Sequence, residues 1–125
     1  MPDIDPDQDL DLSLLNEIAD GSDEFIVESI DMFVEQTPDM LKAVSDLIAQ
    51  KEWLNAGLAA HKIKATLGFF GMLETQSLIQ QVELACKAGG QNPYEIIVKF
   101  NKAKANIATN TATLIRLREE TQAKL

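Results

Sequence analysis

From Leu12 onward the apolar residues of this chain recur at spacings of three and four, and no stretch shows the alternation of β-branched and polar residues that a half-buried strand requires. That period confines the fold to the all-α class. With 125 residues the chain is long enough to bury an apolar core as one domain without metals or disulfides.

Glycine, proline and capping residues divide the pattern into helices. LSLLNEIAD forms a short first helix stopped by Gly21. SDEFIVESIDMFVEQ follows, with Ser22 as N-cap, acidic residues in its first turn, and Phe25, Ile26, Ile30 and Phe33 facing inward. Thr37-Pro38 reads as an N-cap with proline in the first helical position, opening a new helix to about Ala49 with Leu41, Val44 and Ile48 inward. A further helix begins near Trp53 and ends at Gly68 to Gly71, and the next runs from about Met72 to Gly89-Gly90. Asn92-Pro93 opens the last segment, whose inward stripe is Ile97, Phe100, Ala103, Ile107, Thr111 and Leu114, and whose turns beyond Arg118 are expected to fray. Short connections between long helices favour an antiparallel up-and-down four-helix bundle, with the short additional N-terminal helix covering one end. Residues 1–11, MPDIDPDQDLD, are too acidic and proline-rich to bury apolar surface and are expected to be a flexible lead-in, leaving 12–125 as the bundle.

The formal charge of -9 is unevenly distributed: every Lys and Arg lies at or after Lys42, while the acidic residues crowd the chain before it. This balance argues against nucleic acid and anionic membrane as partners. No apolar run approaches the roughly 20 residues of a membrane span, and the N-terminus lacks the features of a signal peptide, so a cytoplasmic protein is expected. Its small size and acidic surface favour a monomer. Cys86, the only cysteine, sits in an apolar helical pattern and reads as a buried structural residue, with no metal site in prospect.

The only histidine, His61, lies in AHKIKATLGFFG. On a helical wheel Ala56, Ala59, Ala60, Ile63, Leu67 and Phe70 mark the core side, and His61 faces away from it. Its own face carries Gly57, Ala65 and Gly68, with Lys64 one turn on, so bulky side chains are almost missing around the imidazole. Glycine in a helix interior costs about 1 kcal/mol relative to alanine, and either close approach by a partner surface or tight helix packing would explain two of them. Leu54 and Leu58 are, by the same choice, either covered by a neighbouring helix or part of a docking patch. A chain reversal near Met72 puts Glu83 at the height of His61. Glu83 could then accept a hydrogen bond from Nδ1 and leave Nε2 as the exposed basic nitrogen; the alternative is a solvated face with an ordinary Glu83 to Lys87 pair.

These residues resemble the active-site helix of histidine-containing phosphotransfer (HPt) domains, four-helix bundles that relay phosphoryl groups in multistep two-component signalling. The family pattern has a histidine followed at three, four, seven and ten residues by lysine, two small residues and glycine. His61, Lys64, Ala65, Gly68 and Gly71 occupy those positions. DGSDEFIVESIDMFVEQTPDMLKAV is similar to the preceding segment in the family, so the likeness extends over about residues 12–118. Some chemotaxis-kinase members carry a glutamate 22 residues after the histidine, where Glu83 stands. Ala65 departs from the usual glycine, and Phe69 replaces something smaller or more polar, which bears on partner choice.

The resemblance implies that His61 is a phosphoacceptor exchanging a phosphoryl group with the phospho-aspartate of receiver domains of response regulators or hybrid kinases. It implies that Lys64 neutralises phosphate oxygens, that Glu83 orients the imidazole, and that Gly57, Lys62, Ala65, Gly68, Phe69 and Gln80 form the docking surface. Mg²⁺ is then expected on the receiver, with no cofactor bound by this chain. With no glycine-rich nucleotide loop, no autonomous kinase activity is expected. The rival reading is a helical interaction module without chemistry at His61. A hydrolase ranks below both, since one histidine lacks the nucleophile, base and orienting group that such chemistry combines.

Overall fold

The computed structural model describes residues 8–125, which form five helices and no strand: α1 (Ser13–Ala19), α2 (Asp23–Ala49), α3 (Trp53–Phe69), α4 (Leu73–Lys87) and α5 (Pro93–Gln122). The four long helices pack in a closed ring, α3 between α2 and α4, and α5 against both α4 and α2, with α1 lying on α2. Ile30, Phe33, Ile63, Leu67, Ile79, Val82, Phe100, Ala103 and Leu114 from all four meet in one core, to which Leu15 of α1 adds.

Two ends follow the sequence rules directly. Ser22 Oγ accepts from the Phe25 amide at 3.1 Å, and Asn92 Oδ1 accepts from the Glu95 amide at 3.3 Å ahead of Pro93 in the first turn of α5.

Thr37-Pro38 does not start a helix. Helix α2 runs unbroken through Pro38, although proline removes the bond to the Val34 carbonyl and costs about 3 kcal/mol in a helix interior. The reason is tertiary: Ile26, Ile30, Phe33, Thr37, Val44 and Ile48 form one buried stripe across the proline, whose ring faces solvent, so both halves are held on the same core. Burial outweighs the local penalty.

The C-terminal end of α5 also differs from expectation. The helix reaches Gln122 with Thr121 buried, because Arg118 makes paired contacts to Asp31 of α2 at 2.9 and 3.3 Å and Lys124 approaches Asp23. Its inward stripe contains Ile96, Asn110 and Thr113, whereas Ile97 is exposed and Thr111 half-buried.

The flexible lead-in predicted for residues 1–11 is corrected at its end; residues 1–7 lie outside the described residues. Residues 8–12 form a strap across the bundle, with Leu10 and Leu12 buried in the core. Gln8 donates to Asn110 and Thr113, and Asn110 donates to the Asp9 carbonyl at 2.8 Å. The Asp9 carboxylate accepts from the amides of Glu74 and Thr75 and from the Thr75 hydroxyl at 2.6 to 2.9 Å. Met72, at the N-cap of α4, makes no side-chain cap, so Asp9 satisfies those amides from 65 residues away. Proline and aspartate lower the chance of local structure, but two leucines and a remote cap suffice to fix this segment.

Candidate functional site

Helices α3 and α4 are joined by a turn whose geometry sets which residues face each other. Gly71 adopts φ +69°, the Gly71 amide donates to the Gly68 carbonyl at 3.0 Å, and the Met72 amide donates to the Leu67 carbonyl at 2.9 Å. This is a Schellman termination, which needs a residue tolerant of the left-handed region. Asp11 of the strap occupies the space where a side chain on Gly71 would go. The reversal brings the eleventh residue before Met72 level with the eleventh after it, His61 with Glu83.

His61 Nδ1 lies 2.9 Å from Glu83 Oε2, while its side chain keeps 61% of its surface exposed. Glu83 is itself buried, with only 5% of its side chain accessible, and also takes two lysines: Lys87 Nζ at 2.6 Å on the same oxygen and Lys64 Nζ at 2.7 Å on Oε1. The Lys64 contact is a close ion pair without hydrogen-bond alignment, since Oε1 is buried and accepts no well-directed bond. Burial pushes the Glu83 carboxyl up, but the close approach of Lys64, Lys87 and His61 to its oxygens outweighs it and holds the group at about 2. An ionised carboxylate only accepts, so the proton between the two residues belongs to Nδ1. In the neutral imidazole Nε2 then carries the lone pair.

The residues expected around His61 divide into three groups. Lys62 and Ala65 on α3 and Gln80 on α4 are exposed, and Phe69 is half-buried edge-on to Phe70 at a centroid distance of 5.1 Å. Leu54 and Leu58 are exposed as well, so no neighbouring helix covers them. Gly68 is half-buried beneath Gln76, whose side-chain amide donates to the Lys64 carbonyl at 2.9 Å and occupies the space of a missing Cβ.

Gly57 does not belong to a docking surface. It is buried against α4, where an added Cβ would stand 2.9 Å from Lys87 Cγ and 3.2 Å from the Glu83 carbonyl oxygen. Of the two explanations open to these glycines in the sequence, close helix packing accounts for Gly57.

Sequence reasoning left Lys87 as an ordinary surface pair. The structure places it on the same carboxylate oxygen as His61; the spacing Glu83 to Lys87 was the available signal. It also missed an apolar groove of about 400 Å³ beside the histidine face, between α2 and α3, lined by Phe25, Met32, Met40, Ala65 and Phe69. Its α2 residues are separated from the motif by more than twenty positions, so no local pattern joined them. Among the described residues, no group of three or more His, Cys, Asp or Glu is placed to hold a metal ion.

The family model described as the Hpt domain matches residues 28–122, about three quarters of the chain, a span that holds His61, Lys64, Glu83 and Lys87. The chain belongs to the Hpt domain family. Comparison with curated proteins and with solved structures gave no match. Hpt domains are phosphocarriers, rather than kinases, that work with receiver domains in two-component phosphorelays. The Hpt match begins within α2, so the strap and α1 lie outside it. Among the described residues, no helix is long and apolar enough to cross a membrane.

Proposed function

We propose that His61 is the phosphoacceptor of this Hpt domain and relays a phosphoryl group to or from the phospho-aspartate of receiver domains. The observation that carries this reading is the pairing of an exposed imidazole with a buried, ionised carboxylate at Nδ1, which leaves Nε2 outward as the nucleophile.

In the step proposed, the Nε2 lone pair attacks phosphorus, the N–P bond forms, and the P–O bond to the receiver aspartate breaks, its electron pair leaving on the carboxylate. The Nδ1 proton stays on the ring. Positive charge delocalised over the phosphorylated imidazole is thereby held next to Glu83. A loose, in-line transition state needs positioning and charge stabilisation more than covalent help, and Lys64 is near enough to exchange Glu83 Oε1 for a phosphoryl oxygen. Mg²⁺ would be held by the receiver. The apolar groove at Met32, Ala65 and Phe69 supports a docking surface that continues past Lys62 and Gln80. An antiparallel course for the four long helices, a cytoplasmic setting and action as a monomer belong to the same reading.

Incubation with a phosphorylated receiver domain tests it. The expected result is acid-labile, alkali-stable label on the protein that is lost in His61→Gln. Label retained by that variant would support the rival interaction module, with any phosphorylation incidental.

A further inference from the structure

We propose that Lys87 is a positioning residue for phosphotransfer: seated in the gap left by Gly57, it fixes the Glu83 carboxylate with Oε2 opposite His61 Nδ1 and leaves Oε1 to Lys64. The inference rests on His61 being the phosphoacceptor and adds a residue to that site.

Two oxygens serve three donors here, and the two lysines are not equivalent. Lys87 shares the helix of Glu83, one turn on, and makes a hydrogen bond of 2.6 Å to Oε2. Lys64 comes from the neighbouring helix and touches Oε1 without alignment. One cation is therefore anchored on the carboxylate, and the other is placed to leave it. When Lys64 turns to a phosphoryl oxygen, Lys87 keeps the carboxylate from following, so the Nδ1 proton retains its acceptor throughout transfer.

Gly57 makes this arrangement possible. Glycine within a helix is unfavourable relative to alanine, yet a methyl here would press on Lys87 Cγ at 2.9 Å, close to the lysine's own backbone, and on the Glu83 carbonyl oxygen at 3.2 Å. The lysine stem passes α3 at Gly57 and delivers its ammonium to Oε2, the oxygen that Lys64 does not touch. A plain surface pair would need no such cleared path. Without Lys87, Lys64 is the only cation left on the carboxylate, which is then free to turn toward it, and His61 exchanges tautomers.

The test uses the full chain, unphosphorylated, with ¹⁵N NMR of the neutral His61 side chain, followed by transfer from a phosphorylated receiver. The parent is expected to hold the proton on Nδ1. Lys87→Met is expected to give a mixture of tautomers and to slow transfer about tenfold, and Lys87→Arg to restore both. Gly57→Ala is expected to shift the tautomers in the same direction as Lys87→Met. If Lys87→Met fails to fold, Lys87→Gln replaces it. A parental tautomer in the Met or Gln variant, or mixed tautomers with an unchanged transfer rate, overturns the proposal. A parent that accepts no phosphoryl group would instead defeat the phosphoacceptor reading, while the tautomer populations still decide whether Lys87 positions Glu83.

Discussion

His61 Nδ1 and Glu83 Oε2 lie 2.9 Å apart across the α3–α4 interface, joining two residues 22 positions apart in the chain. Glu83 is buried and the imidazole itself is exposed, so the ring is held at Nδ1 by a carboxylate beneath it while most of its surface stays open.

Replacing Glu83 by glutamine keeps the shape and removes the charge. Transfer to His61 is expected to slow about 10- to 100-fold, the equivalent of one charge-assisted hydrogen bond of about 1.5–3 kcal/mol. Single-turnover transfer from a phosphorylated receiver measures it, and a parental rate would remove Glu83 from the proposed mechanism.

The same carboxylate gives the fold a pH dependence. Its folded value of about 2 lies below the ordinary 4.5, so its contribution to stability is fully present above about pH 4.5 and is lost as the pH falls toward 2. Thermal melts of the parent and Glu83→Gln should differ most near neutral pH and converge near pH 2. A difference that persists unchanged across this window would mean that the cations do not act through ionised Glu83.

Asp9→Ala removes the remote cap of α4 and the bond to the Thr75 hydroxyl. A loss of about 1–2 kcal/mol is expected, within the range of lost helix caps. Denaturant unfolding provides the measurement, and a midpoint equal to the parent's would show that Leu10, Leu12 and the bonds of Gln8 and Asn110 hold the strap without the Asp9 carboxylate.

The helical class and the level of His61 and Glu83 were legible because both depend on local period and on one turn at Gly71. Pro38 misled because its cost is local, whereas the stripe from Ile26 to Ile48 that overrides it is a property of the assembled core. Gly57 could be read from the sequence either as room for a partner or as helix packing, and only the position of Lys87 Cγ decides between them. Asp9 was illegible for a related reason, since its partners at Glu74 and Thr75 are brought to it by the fold.

Met32 is exposed at the rim of the apolar groove, so Met32→Lys places a charge there without disturbing the core. Receiver binding is expected to weaken about tenfold, while phosphorylation of His61 by a small donor such as phosphoramidate stays at the parental rate. Titration calorimetry and donor labelling separate the two, and unchanged receiver affinity would move the docking surface away from this groove.

The most direct test is the position of the phosphoryl group on the imidazole. NMR of the ¹⁵N-labelled protein, phosphorylated by a receiver domain, should show phosphorus bonded to Nε2 of His61 with the Nδ1 proton retained. Phosphorus on Nδ1, or on any residue other than His61, would contradict the account.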